Sequence, residues 1–122
     1  MSVSILIIAF AFLGMGLTGL VKPAFIMKLV DGSAETINSR NEIRAVYGGF
    51  GVCLALLLFA SPTLLPELTL GIYFAVGVAL AGMALGRLIS ALIERPGILM
   101  WFYLVIEAIA ALLLFNAAYQ PA

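Results

Sequence analysis

Four apolar stretches, each about as long as a bilayer is thick, follow one another along the chain. They run from Val3 to Val21, through "AVYGGFGVCLALLLFA" to Ala60, from about Leu68 to about Ile89, and from Ile98 to the region of Asn116 to Tyr119. A helix needs roughly 20 apolar residues to cross the hydrocarbon core, so each stretch reads as one span. The composition agrees: 65% of the 122 residues are hydrophobic and 10% are charged, against roughly 45–50% and about 25% in an ordinary soluble domain. Mean hydropathy is +1.24. The expected fold is therefore all-α: an integral membrane four-helix bundle forming one domain over residues 1–122. Its transmembrane helices are predicted at about 3–21, 40–60, 68–90 and 98–118, with a short interfacial helix at about 24–30.

The boundaries rest on local chemistry. No Lys or Arg precedes the first run and no small-x-small pattern follows it, so it reads as a span rather than a cleaved signal peptide. After Pro23, Phe25, Ile26 and Leu29 fall at the spacing of a short helix lying in the interface, ending at an Asp31-Gly32 turn. Ser39-Arg-Asn-Glu42 has the spacing of a capping box and predicts the start of the second helix, while Pro62 and Pro66 predict its end. The third span leads into the charged turn Glu94-Arg95-Pro96-Gly97. Lys22, Lys28, Arg40, Arg44, Arg87 and Arg95 all fall toward one side of such a topology. By the positive-inside rule that side is cytoplasmic, which places segments 22–44 and 91–97 there and both termini in the periplasm of a bacterial inner membrane. So uneven a distribution also argues against insertion in both directions.

Several chemistries are excluded by what is missing. There is no histidine, hence no His-ligated haem, Ser-His-Asp or Cys-His device, or His proton relay. The single cysteine, Cys53, permits no internal disulfide, Cys-x-x-Cys pair or thiolate zinc site and reads as a small buried hydrophobe. Net charge is zero, which gives no attraction to nucleic acid. Gly14-Met-Gly-Leu-Thr-Gly19 matches a dinucleotide fingerprint as a string, yet it lies within a span rather than between a strand and a helix. Its value is packing, because small residues let helices approach closely in lipid. Gly48 and Gly51 on the second helix, and Gly82 and Gly86 in an Ala75/Ala79/Gly82/Gly86/Ser90 stripe on the third, are expected to serve the same end.

The charged residues inside the spans carry the functional information. An ionisable side chain there faces the protein interior by default, since burial at the membrane centre costs about 2.5–3.5 kcal/mol even on insertion-based scales. Glu107 sits in the middle of "WFYLVIEAIAALLLF", with Tyr103 one turn away. At about 1.5 Å per residue, Arg87 and Glu107 lie roughly 13 and 16 Å from the turn at Pro96, so Arg87 is the expected partner of Glu107 and Arg44 the second candidate. Asn41, Arg44, Tyr47 and Gly48 share a face on α-helical spacing. Asn41, Arg44, Tyr47, Arg87, Ser90, Tyr103 and Glu107 thus form the candidate polar cluster, with Tyr47 and Tyr103 supplying hydroxyls. It reads either as a structural ion-pair network or as a site in which two guanidiniums near one carboxylate leave surplus positive charge for a ligand carboxylate, a phosphate-bearing lipid head group or a quinone carbonyl. Glu42 reads as a capping partner, and Trp101 as part of the aromatic belt.

The set Arg44-Ala-Val-Tyr-Gly-Gly49, Gly86-Arg87, Pro96 and Glu107 resembles a family of small four-span bacterial inner-membrane proteins of unknown function, loosely DoxX-like, over nearly the whole chain. The resemblance implies a four-helix membrane domain and little about activity. Wider DoxX-like members are associated with quinone-linked oxidoreductase complexes and assembly roles, although the paired cysteines of a thiol relay are missing here. The leading expectation is a non-enzymatic accessory or assembly subunit, or a small-ligand-binding bundle. It would have no catalytic residues, no metal, and a bound lipid or quinone as the sole cofactor candidate. Its expected partners are the bilayer and a larger membrane complex or a homo-oligomer, not nucleic acid. Two alternatives stay open: an oligomeric transporter or channel with Glu107 as coupling carboxylate, and a glutathione- or quinone-linked membrane enzyme, although "SRNEIRAVYGG" does not reproduce the glutathione-binding pattern.

Overall fold

A computed structural model describes residues 1–120. Among them there are helices and turns and no strand, and four helices are long and apolar enough to cross a membrane. The elements are α1 (Val3–Val21), α2 (Pro23–Lys28), α3 (Ile37–Ile43), a π-helical turn (Arg44–Gly49), α4 (Phe50–Leu64), α5 (Thr69–Ile93) and α6 (Ile98–Ala118). The segment from α3 to α4 runs as one helix, Ile37–Leu64. Within the most apolar windows of the four long helices only 17–28% of residues are buried, so most of their apolar surface points outward and demands hydrocarbon rather than water. This is a multi-pass membrane protein. The chain divides into two compact units, residues 1–62 and 63–122.

The first unit is built on closely approaching backbones. A Cβ on Gly16 would lie 2.5 Å from the Val52 nitrogen, one on Gly19 would lie 2.9 Å from the Gly48 nitrogen, and one on Gly51 would lie 3.1 Å from the Gly16 Cα. The pairing of Gly16 with Gly51 and Gly19 with Gly48 is antiparallel. Lipid tails are as apolar as leucine, so helices gain by van der Waals contact between backbones, which only residues without bulk permit. Phe10 and Phe59 meet edge to face at 5.0 Å farther along.

The π turn decides which side of the second span faces α1. Buried positions step by five from Ile43 to Gly48 and then by three or four through Gly51, Ala55, Leu58 and Ser61. One extra residue is absorbed in the wide turn, and the α-helical face expected to join Asn41, Arg44, Tyr47 and Gly48 is broken. Gly48 is buried, Tyr47 is half-buried, and Asn41 and Arg44 are exposed.

Three boundaries differ from expectation for identifiable reasons. The capping box is Thr36 with Ser39, not Ser39 with Glu42: the Thr36 hydroxyl accepts from the Ser39 N–H at 3.0 Å and the Ser39 hydroxyl accepts from the Thr36 N–H at 3.2 Å. Ser39 can serve because its short side chain reaches back as Glu or Gln does in the usual box. The helix therefore begins at Ile37. Pro62 does not end α4, which continues to Leu64. Proline has no N–H to offer the carbonyl four residues back, and the Ser61 hydroxyl donates to that carbonyl, Leu58 O, at 3.4 Å. Finally, α5 extends three residues past the expected end, to Ile93. The first and fourth spans match their predicted limits, and α2 occupies most of the segment predicted as interfacial.

Two stability comparisons follow from this geometry. Gly16→Ala forces backbone apart and is expected to cost about 1–3 kcal/mol, whereas Gly82→Ala meets open space and is expected to be neutral or slightly stabilising. Thr36→Ala is expected to cost about 1 kcal/mol and Glu42→Gln to cost nothing. Thermal unfolding in detergent micelles measures all four.

Candidate functional site

In the second unit, α5 and α6 form a helical hairpin whose seam can be read position by position. Tyr73, Val76, Gly77, Leu80 and Ala84 are buried on α5, and Arg87 continues that series by one step of three. Glu107, Ala111 and Leu114 are buried on α6, at steps of four and three. At the open end of the hairpin a Cβ on Gly77 would lie 2.9 Å from the Phe115 ring, which stacks obliquely on Phe74 at 5.6 Å. At the connected end the seam is closed by charge.

Arg87 holds Glu107 in a two-point clasp: Nε donates to Oε2 at 2.8 Å and Nη2 donates to Oε1 at 2.9 Å. The side chains are 28% and 11% exposed, respectively. Side-on fork geometry uses the guanidinium's planarity, and charge-assisted pairs of this type are among the strong hydrogen bonds. Counted from the ends of their helices, Arg87 lies about 9 Å and Glu107 about 14 Å from the connecting turn. The long arginine side chain spans the difference. Around the pair, Arg87 Nη1 approaches Met100 Sδ at 3.6 Å, and the guanidinium carbon sits 5.4 Å from the centre of the Tyr103 ring, within cation–π range.

The predicted pairing of Arg87 with Glu107 is thus present, and Tyr103 joins it through the face of its ring. Arg44 has a different task in the first unit: its Nε donates to Leu20 O at 3.0 Å, satisfying one of the carbonyls that the end of α1 leaves without an internal partner. Gly82 and Gly86 have nothing within 4 Å of a built Cβ, because the α5 seam runs through residues 73, 76, 77, 80, 84 and 87 and passes them by. Cys53 is exposed rather than buried.

A cleft of about 260 Å³ opens beside the ion pair, lined by Gly86, Arg87, Ser90, Pro96, Met100 and Trp101, with Ala91 and Leu104 completing it. Ser90 was named from sequence; Met100 and Trp101 were not given this role. Met100 had a legible signal, standing seven residues before Glu107 and hence on its face of the helix. Trp101 had none, since it stands off the Glu107 face of the helix. Among the described residues no three His, Cys, Asp or Glu side chains converge on a metal position.

These features define a class: a four-span helical membrane protein with a clasped intramembrane ion pair and an adjoining cleft. The chain belongs to DUF4345, a family described as a domain of unknown function, whose model matches residues 1–118. No curated protein and no solved structure matches it.

Removing one partner of a buried pair leaves the other charge uncompensated, at about 3–5 kcal/mol. Arg87→Ala and Glu107→Ala are each expected to destabilise by that order, and the double variant by clearly less than their sum, with a coupling of about 0.5–3 kcal/mol. Unfolding of the four species in micelles measures the cycle, and additive effects would contradict the clasp.

Proposed function

We propose that this protein is a non-enzymatic subunit of a bacterial inner membrane, acting in an accessory or assembly role, whose α5–α6 cleft receives the polar head of a membrane-resident small molecule. The observation that carries this reading is that Arg87 is fixed by Glu107 and at the same time forms a wall of the cleft, together with Ser90 and Trp101. A guanidinium whose position is set in advance loses little conformational freedom on meeting a ligand. An anionic lipid head group and a quinone carbonyl are the two ligand types that suit it. The DoxX-like pattern of "RAVYGG", "GR" and Glu107 favours the same subunit role, and the distribution of Lys and Arg favours cytoplasmic placement of the hairpin turn with both termini in the periplasm.

Transport with Glu107 as a proton-coupled carboxylate fits less well. Both of its oxygens accept from Arg87, so each transport cycle would have to break the clasp inside the membrane.

Native mass spectrometry of protein extracted directly from membranes tests the reading. The expected spectrum shows a retained lipid or quinone on the unaltered chain, depleted in Ala91→Phe, which fills the cleft. A ligand-free chain, or identical retention in both proteins, would overturn it.

A further inference from the structure

The polar groups bordering the cleft are donors without excess charge. Arg87 brings a guanidinium and Ser90 a hydroxyl, Trp101 lines the cleft as well, and none of the lining residues is acidic. The Arg87 charge is balanced by Glu107 at 2.8 and 2.9 Å, so the pair presents hydrogen-bond donors while its net charge is zero. The opening turn of α6 adds N–H groups near Pro96, since Gly97 provides no side-chain cap, but a helix N-terminus carries only about half an elementary charge. An anion entering here would exchange its hydration for donors that do not compensate a full negative charge, which is costly in a low-dielectric site. A neutral acceptor incurs no such cost. The rest of the lining, Pro96, Met100, Leu104 and the Trp101 ring, is apolar and suits a flat or alkyl-bearing body.

We infer that the cleft selects an uncharged carbonyl head group of a membrane-resident amphiphile over an anionic phosphate, with the carbonyl oxygen accepting from the Arg87–Ser90 edge and the body lying against Trp101. This rests on the head-group reading above and narrows it. Two sources share that chemistry, the carbonyl of a quinone ring and the ester carbonyl of a neutral glyceride.

Trp101 is the sole tryptophan of the chain and lines the cleft, so its emission reports occupancy directly. The full-length protein in dodecyl maltoside micelles, which contain neither carbonyl nor phosphate, is titrated separately with a short-chain benzoquinone, dioleoylglycerol and dodecyl phosphate. The expected result is a saturable change of Trp101 emission with at least one carbonyl probe, the responding arm identifying the source, and no saturable change with dodecyl phosphate. Ser90→Ala should weaken that binding by roughly two- to tenfold, the usual scale for one lost hydrogen bond between neutral groups. Ala91→Phe should abolish it while thermal unfolding is preserved. If Ala91→Phe proves unstable, Ser90→Ala alone decides, and unchanged affinity in it overturns the inference. Saturable binding of dodecyl phosphate in preference to both carbonyl probes would overturn the selection of a neutral head group while leaving the head-group reading standing. Changes that are linear for every probe and the same in Ala91→Phe would overturn both.

Discussion

A carboxylate in the middle of a membrane span has no water to turn to, and its burial is tolerable only beside a cation with matching geometry. Glu107, 8% exposed, meets that condition through Arg87, and much of the second unit is arranged around the meeting. The two residues stand at different depths on antiparallel helices, and the seam of Tyr73, Leu80, Ala84, Ala111 and Leu114 brings them into line. Because both carboxylate oxygens are engaged, sliding one helix along the other by a turn would break two charge-assisted bonds in a medium that replaces neither. The pair therefore sets the register of the hairpin as well as neutralising the charge.

The first unit solves the association problem differently, through the absence of side chains. Gly16, Gly19, Gly48 and Gly51 allow backbones to touch where hydrophobic burial offers little. The π turn at Arg44–Gly49 sets the phase of this face, bringing Ile43, five residues before Gly48, onto the same buried side as Gly48 and Gly51. Arg44 then closes the α1 terminus by donating to Leu20 O. A charged residue that looks functional in isolation is there occupied with a backbone carbonyl.

The cleft beside the ion pair takes its character from that neutralisation. A lone guanidinium would invite anions; a clasped one offers directed hydrogen bonds without net charge. This unit of a DUF4345 protein thus places a fixed, charge-balanced ion pair on the wall of a cleft.

Much of this was legible beforehand. The number of spans, the limits of the first and fourth, and the pairing of Arg87 with Glu107 follow from run length, from the cost of charge in hydrocarbon and from depth counted along a helix, all of which are local or one-dimensional. What the linear pattern could not supply depends on the path of the backbone in space. The π turn inserts a single residue of phase and undoes the face on which Arg44 and Gly48 were expected to lie together. Pro62 sits within a helix because a neighbouring serine serves the carbonyl it leaves unmet. Glycines 82 and 86 look the same in sequence as glycines 48 and 51, yet within their own units only the latter lie on the face packed against a partner helix, since spacing tells which residues share a face and tertiary packing decides which face is used. The ion pair could be predicted from charge and depth; the cleft beside it arises where Ser90, Met100 and Trp101 converge from two helices, and only the folded hairpin brings them together.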